Sequence, residues 1–442
     1  MSRTLREWAA SGGRFQAYAY AYPHKTAYRR LQPPRELAEV WSGEDRSALF
    51  LYVHAPFCEA RCGFCNLFTT TSPGAGLVGR YLDALERQAE AVAEALGGAA
   101  RVARVAIGGG TPSFLTGPEL ARLDGILRGH FGAAEEPLPR AIEASPGTVG
   151  AEKIAQLRSL GFTRVSLGVQ SFVPAELRAL GRPETVANAR RALELLAAAK
   201  FPCLNVDLIY GMPGQTPGSW QTSLDEALAV APQEIYLYPL YVRPLTGLDR
   251  RGHRPTDERL ALYRQGRDYL REQGYRQISL RLFRREDYQP AEGPVYCCQE
   301  DGMVGLGPGA RSYTTALHYS SEYAVGRAGV GAVIADFLQR SRREMSRVDY
   351  GFALDREEQQ RRYVLKSLLR AEGLDRAAYQ AFFGTTPDAD FPELAELLAE
   401  GWARAEEGKL QLTEAGLEFS DVVGPWLWSA RVREEMARFE LR

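Results

Sequence analysis

Three of the six cysteines in this chain lie within eight residues, as Cys58-Glu-Ala-Arg-Cys62-Gly-Phe-Cys65. Thiols clustered in this way point to metal or redox chemistry rather than to a disulfide framework. Structural zinc takes four ligands, usually in two pairs or with histidines. Here the thiols are separated by three residues and then by two, and no fourth Cys or His follows nearby. Three thiolates on a cubane iron–sulfur cluster leave one iron without a protein ligand, open to a substrate or a second cofactor. Core filler is the plain alternative, and three thiols at this spacing fit it badly. Cys203, next to Pro202 and an apolar strand, reads as a core thiol. Cys297 and Cys298 read either as buried thiols or as the lining of a second pocket.

The elements that would position this loop follow a rhythm. Apolar runs that read as buried strands, at 49–55, 102–108, 141–144, 164–170, 204–210 and 235–240, alternate with helical stretches at 79–96, 117–130, 150–160, 184–200 and 217–230. Such alternation predicts a parallel sheet with helices outside it. A further helix is expected over 257–273 and a further strand over 277–283. The polar residues fall at the strand ends: the cysteine loop after the first, Gly108 to Pro112 after the second, then Glu143, Gln170, Asp207, and Tyr238 with Tyr241. All would line the carboxyl edge of one sheet, where α/β barrels carry their active sites. That convergence predicts an enzyme rather than a binding module.

Four segments are expected: an arm over 1–46, a barrel over 47–290, a Gly-rich segment over 291–350 that completes the active site, and a helical domain over 351–442. In the last, helices over 355–374 and 392–407 precede a hairpin over 408–419, an order like that of a winged helix. Nucleic acid is not the expected partner, because residues 351–442 hold 12 Lys/Arg against 18 Asp/Glu and phosphate contacts need positive charge. The whole chain has 54 Lys/Arg and 55 Asp/Glu, a net charge of −1, so no bulk field draws it to nucleic acid or to an anionic membrane. No run of about 20 apolar residues would span a bilayer. The N-terminus has no apolar signal core, so a cytoplasmic protein is expected. Residues 1–35 stand out, with seven Lys/Arg against Glu7 alone and with Phe15, Tyr18, Tyr20, Tyr22 and Tyr28 interleaved. The plain reading is a solvated arm whose rings pack on the main domain. The sharper one is an arm that closes the barrel mouth and presents Lys25 and Arg29 to an acidic substrate.

The sequence 52-YVHAPFCEARCGFC-65 resembles the radical S-adenosylmethionine (SAM) superfamily, in its oxygen-independent coproporphyrinogen III oxidase-like branch. The likeness runs through 22-YPHKTAYRRL-31, 108-GGGTPS-113, 143-EASP-146, 166-SLGVQSF-172, 181-GRPET-185, 205-NVDLIYGMPGQT-216 and 305-GLGPGARSY-313. It implies an α/β fold, an incomplete parallel (β/α)6-type barrel with an N-terminal arm and a mainly helical, winged-helix-like C-terminal domain. It also implies a [4Fe–4S] cluster on Cys58, Cys62 and Cys65 that reductively cleaves SAM to a 5′-deoxyadenosyl radical, which abstracts hydrogen from substrate. By the same resemblance Tyr52 and Phe64 lie beside the first SAM, Gly109 at its amino-acid end, and Gly110 and Thr111 against a second SAM. Glu143, Gln170, Arg182 and Asp207 match positions contacting the two SAM molecules, and Tyr241 and Arg311 complete the cofactor-binding set. Each has a plain reading as well: a strand-end turn for Gly108–Gly110, an ion pair with Glu184 for Arg182, a surface pair for Glu143. His54 is expected to be structural. A reducing protein such as flavodoxin or ferredoxin and an anionic small-molecule substrate are the implied partners.

The chain departs from the resemblance at three points. The oxidase carries a further cysteine two residues after the third, where this chain has Leu67. Heme-chaperone relatives carry His-Asn-x-x-Tyr-Trp before the late glycine loop, and 295-VYCCQEDGMVGLG-307 lacks it. Arg311 stands where an apolar residue is usual. Three chemistries therefore stay open: oxidative decarboxylation of a porphyrinogen or related acid, two-SAM methyl transfer or cyclopropanation in natural-product biosynthesis, and a non-catalytic heme-binding role.

Overall fold

The computed structural model describes residues 3–17, 20–132, 138–255, 258–290 and 296–441. Tyr18, Asp257 and Val295 lie outside them, so those parts of the expectations for the arm, the helix over 257–273 and the late glycine segment are not described.

Thirteen strands form one sheet. They are β1 (Arg29–Glu36), β2 (Leu49–Ala55), β3 (Val102–Gly109), β4 (Arg140–Ala144), β5 (Arg164–Gln170), β6 (Cys203–Tyr210), β7 (Glu234–Pro239), β8 (Tyr275–Gln277), β9 (Leu282–Arg285), β10 (Met303–Leu306), β11 (Arg311–Tyr313), β12 (Leu317–Ser320) and β13 (Arg347–Ala353). Their order is β1-β13-β12-β11-β10-β2-β3-β4-β5-β6-β7-β9-β8. Strands β2 to β7 run parallel in chain order, which is the incomplete barrel. Strand β10 adds to β2 in parallel, and β11, β12, β13 and β1 continue antiparallel.

Period-two alternation explains why these segments are strands and what each side does. In β2, Leu49, Leu51 and Val53 are buried against the helices, and Phe50 and Tyr52, of opposite parity, are half-buried. In β6, Leu204, Val206 and Leu208 join the core while Asn205 and Asp207 form a polar group with Ser166 of β5. The polar parity therefore lines the inside of the barrel. The outer helices α1 (Leu77–Leu96), α2 (Gly117–Phe131), α3 (Ala151–Ser159), α4 (Val186–Ala198), α5 (Pro217–Leu228) and α6 (Arg259–Glu272) cover the other side. Several begin at capping threonines, Thr116 with Glu119 and Thr216 with Ser219, which satisfy the otherwise unpaired N-terminal amides.

The structure corrects four boundaries. The expected strand over 277–283 is two short strands, β8 and β9, because Ser279 Oγ accepts from the amides of Arg281 and Leu282 at 3.3 and 3.2 Å and turns the chain. The helix expected over 355–374 is α7 (Arg356–Leu368), capped by Asp355, and the chain then turns at Gly373 (φ 74°). The helix expected over 392–407 covers only Leu394–Ala399. The hairpin comes earlier than expected, as Ala403–Glu406 against Lys409–Leu412, with Glu414–Glu418 helical. Its turn is Glu407–Gly408 at φ 50° and 78°, the pair of left-handed residues a two-residue hairpin requires. The described part of the Gly-rich segment expected over 291–350 contains β10, β11, β12 and a helix over Arg327–Gln339, and β13 begins within it.

A second apolar core joins the two ends of the chain. Leu5, Tyr22, Ala27 and Tyr28 are packed with Tyr363, Leu365, Leu369, Val423 and Leu427. Among the described residues, no helix is long and apolar enough to cross a membrane.

Candidate functional site

The cysteine loop leaves β2 at the barrel mouth. Phe57–Cys58 pairs with Thr70–Thr71, and Phe57 stacks edge-on against Tyr81 at 5.2 Å. The far side of the loop is held by Gly63, whose amide donates to Leu180 O at 2.6 Å and whose carbonyl accepts from the Leu248 amide at 2.7 Å. The amides of Gly110 and Thr111 donate to Ala55 O and Phe57 O at 2.8 and 2.7 Å, which lays the glycine turn against the loop. A Cβ on Gly110 would stand 2.5 Å from Phe57 O and 2.9 Å from Cys58 Sγ, so only glycine permits this approach.

The thiols have polar company. Thr111 Oγ1 lies 3.6 Å from Cys58 Sγ, and Arg182 Nη1 donates to Cys62 Sγ at 3.2 Å. Arg182 also donates to Gly168 O at 2.8 Å and pairs with Glu184 at 3.2 Å, so its plain reading holds alongside a contact with the loop. Burial pushes the Cys58 thiol up to about 12, and the neighbouring Cys65 and Cys62 add to the rise. Among the described residues no three His, Cys, Asp or Glu side chains are grouped so as to hold a metal ion. Ligands of one ion must converge, whereas thiolates on a cubane each take a separate iron. A donor set of three thiols on one loop, with a glycine turn packed closely against Cys58, fits such a cluster and does not fit four-ligand zinc.

Around the loop the expected residues take up defined positions. His54 Nε2 is 2.8 Å from Phe68 O and its Nδ1 is 3.3 Å from Tyr52 Oη. A carbonyl can only accept, so Nε2 carries the proton and Tyr52 donates to Nδ1. Burial holds His54 down to about 4, so it is a neutral brace for Tyr52. Gly109, at φ 116°, donates its amide to Glu143 Oε2 at 3.0 Å. Glu143 is accessible to solvent yet set deep in the mouth, and that enclosure pushes its carboxyl up to about 7. Asp207 accepts from Asn205 at 2.7 Å and Ser166 at 3.3 Å, and burial pushes it up to about 6. Gln170 adopts φ 73° where the β5–β6 register slips, an uncommon conformation for a non-glycine residue. Phe64 packs with the cluster of Leu180, Ile209, Met212, Leu240 and Leu248. Tyr241 stands apart from the others: its hydroxyl is engaged by Asp421 and Arg281, on the side of the C-terminal domain.

The arm returns to this site. Lys25 Nζ lies 3.6 Å above the Tyr323 ring, and Tyr323 donates to Asn66 O at 2.9 Å. Burial draws the Lys25 ammonium down to about 7, with Arg311 and Arg243 repelling it and Cys65 drawing the other way. Arg243 and Arg311 are thus near enough to Lys25 to repel its charge, while Arg243 itself donates to Gln16 O at 3.2 Å and lies over the Tyr241 ring. Arg29 differs from the expectation, for it pairs with Glu435 at 2.9 Å, and Arg30 pairs with Glu322. Sequence reasoning missed Arg243 and Tyr323. Arg243 could have been found as the first cation after the sixth barrel strand, but no local signal marks Tyr323.

Sequence profiles match two parts of the chain: the radical SAM superfamily over residues 52–227 and the HemN C-terminal domain over residues 354–419. The bovine mitochondrial radical S-adenosyl methionine domain-containing protein 1 is 34% identical over 318 residues, 67% of this chain and 68% of its own length. The oxygen-independent coproporphyrinogen III oxidase of Pseudomonas aeruginosa is 28% identical over 93% of this chain and 92% of its own. The chain belongs to the radical SAM superfamily, in its coproporphyrinogen III oxidase-like branch. The fold of this radical SAM protein is also that of Escherichia coli coproporphyrinogen III oxidase (HemN), with a TM-score of 0.77 at 23% identity over 94% of this chain and 99% of that one. Its relatives include proteins named otherwise: the heme chaperone HemW of Escherichia coli is 28% identical over 84% of this radical SAM protein and 96% of its own length.

Proposed function

We propose that the protein is a radical SAM enzyme that removes hydrogen from a carboxylate-bearing substrate held between the cysteine loop and the N-terminal arm, in the manner of the oxidase relatives. The observation that carries this reading is the position of Lys25 over Tyr323, whose hydroxyl is tied to Asn66 next to Cys65, with Arg243 and Arg311 near enough to repel the ammonium. Three cations around one opening favour an acid, and a guanidinium matches a carboxylate in shape.

Bound on Cys58, Cys62 and Cys65, a [4Fe–4S] cluster with SAM supplies one-electron hydrogen-abstraction chemistry. The residues of the chain do the rest. Gly110 lets the glycine turn lie directly against Phe57 and Cys58. Glu143 and Asp207 offer carboxylate oxygens to hydroxyl or ammonium groups of SAM. His54 fixes the Tyr52 ring. The arm covers the mouth with Tyr22 and Tyr28 buried behind it, which keeps water from a reactive species. Lys25, Arg243 and Arg311 neutralise the acid so that its reacting carbon can approach.

The test is an anaerobic assay of the reconstituted enzyme with coproporphyrinogen III and methyl-labelled SAM. Carbon dioxide release coupled to SAM cleavage is the expected result. Transfer of label without carbon dioxide would assign methyl transfer instead, and tight heme binding without turnover would assign the chaperone role.

A further inference from the structure

The outer face of the cysteine loop is held by two short helices that carry a run of arginines. Gly63 is clamped between them. Its amide donates to Leu180 O, just past the helix Pro174–Ala179, and its carbonyl accepts from the Leu248 amide in the helix Gly247–Arg250. Arg251 closes the clamp: its Nη2 donates to Ala179 O at 3.1 Å and its Nε to Gly247 O at 3.3 Å. A Cβ on Gly63 would stand 2.6 Å from that Nη2, so the guanidinium lies directly on the backbone between Cys62 and Cys65. Gly63 is buried beneath it, and Arg251 is exposed.

Around this point the sequence reads Arg250-Arg251-Gly252-His253-Arg254, and Arg178 precedes Ala179 on the facing helix. All four arginines are exposed. Among the described residues, Arg178 and Arg250 have no ion pair and no side-chain hydrogen bond. The acids of the same elements are engaged. Glu176 is buried and accepts from Ser171 Oγ and Ser219 Oγ at 2.5 and 2.6 Å. Glu184 pairs with Arg182. Asp249 accepts from the Leu245 amide at 3.1 Å and lies 3.7 Å from Arg254. Glu59, the acid of the loop itself, lies on its other side, with Oε2 2.9 Å from where a Cβ on Gly147 would stand. A chain whose charges sum to −1 thus presents a cationic face at the back of its cysteine loop. Exposed charges contribute little to stability, but a group of one sign steers a partner of the other.

We propose that Arg178, Arg250, Arg251 and Arg254 form the docking surface for the electron donor, a small acidic carrier protein with a one-electron flavin or iron–sulfur centre. This rests on the radical SAM reading, in which the loop's cluster gains an electron before SAM is cleaved, and it adds where that electron enters. With the arm over the barrel mouth, a protein carrier has its approach from the outer face. There the Arg251 guanidinium is the layer between a docked carrier and the Gly63 backbone. One electron passes: the carrier is oxidised by one unit, the cluster on Cys58, Cys62 and Cys65 is reduced by one, and no bond or proton is exchanged.

The test uses the reconstituted holoenzyme and two acidic carriers, a flavodoxin and a ferredoxin. Binding is titrated by calorimetry, and electron arrival is followed anaerobically by bleaching of the visible absorption after mixing with the reduced carrier. Wild type is compared with the combined variant Arg178→Glu, Arg250→Glu, Arg254→Glu and with a control, Arg35→Glu, Arg276→Glu, Arg343→Glu, in which three exposed arginines of other elements are reversed. Arg251 is left in place because it braces the loop. Dithionite, which needs no docking surface, reduces each protein in parallel, and iron content checks that each one folds. The first variant should lose at least about tenfold in carrier binding and in the second-order rate at low ionic strength. The loss should shrink at about 0.5 M salt, where exposed charges are screened. SAM cleavage driven by dithionite should stay at the wild-type rate, and the control should keep its carrier rate. A wild-type carrier rate in the first variant overturns the surface, and so do an equal loss in the control and an absence of binding of either carrier to wild type. If dithionite drives no SAM cleavage in wild type, the radical SAM reading fails, and the calorimetric comparison still decides whether this face binds the carrier.

Discussion

Arg281 Nη2 lies 2.7 and 2.8 Å from the two carboxylate oxygens of Asp421, and the two side chains are 1% and 0% exposed. The contact joins the turn between β8 and β9 to a C-terminal helix, Ser420–Trp426, and Tyr241 completes it. Removing one partner leaves an uncompensated buried charge, so Asp421→Ala should lower stability by about 3–5 kcal/mol. Replacing both, as Arg281→Met with Asp421→Leu, should cost clearly less. Denaturant unfolding of the three proteins checks this, and equal losses in single and double variants would deny the pair its special place.

The cysteine loop makes a sharper demand. Cys58→Ala, Cys62→Ala and Cys65→Ala should each reduce iron after reconstitution from about four atoms per chain to near zero and abolish SAM cleavage. Cys203→Ala should keep the iron, because Cys203 is buried at the start of β6. Iron analysis and the visible absorption of the cluster report the outcome.

Glu143 sets a pH dependence. Its carboxyl is raised from an ordinary 4.5 to about 7, so the ligand-free enzyme holds this proton below neutrality. A hydroxyl or ammonium donor binds the carboxylate, and the proton must leave first. SAM affinity should therefore fall as pH drops below about 7, approaching tenfold per unit, and Glu143→Gln should flatten the curve. Stability of the ligand-free protein runs the same group the other way, with its contribution full below pH 4.5 and lost as pH rises through about 7. Equilibrium dialysis between pH 6 and 8 gives the binding curve.

Lys25 tests the arm without dismantling it. A deletion would also remove Tyr22, which is 2% exposed in the second core, and so confuse folding with function. Lys25→Met should instead lower the product formed per SAM cleaved by about tenfold or more, the effect of one charge-assisted contact. Lys25→Arg should recover part of it. An unchanged ratio would make the arm a cover and nothing else.

The barrel was legible because its code is local. Strands 49–55 and 164–170 begin and end where alternation placed them, since one face must meet helices and the other a polar interior. That Glu143 and Asp207 face the barrel interior follows from strand parity, and their height follows from their position along β4 and β6. What alternation could not carry was tertiary competition. The segment over 277–283 alternates like one strand, yet Ser279 turns it and Arg281 is drawn to Asp421, far along the chain. The stretch over 403–407 has helical composition, yet the Glu407–Gly408 turn commits it to a hairpin. Lys25 over Tyr323 has no signature in spacing, because the pair meets only when distant segments have docked.

The pairing of β1 with β13 sets an order of events during synthesis. Residues 29–36 leave the ribosome early, but their partners 347–353 emerge only when most of the chain has been made. Contacts so distant in sequence form late, and domains otherwise assemble from the N-terminus onward. The parallel strands and the cysteine loop can therefore take shape while the arm is still without its partner. Lys25 reaches the mouth late, so the site stays open to incoming iron and sulfide until β13 and the C-terminal segments that pack on Tyr22 and Tyr28 arrive to seat the arm.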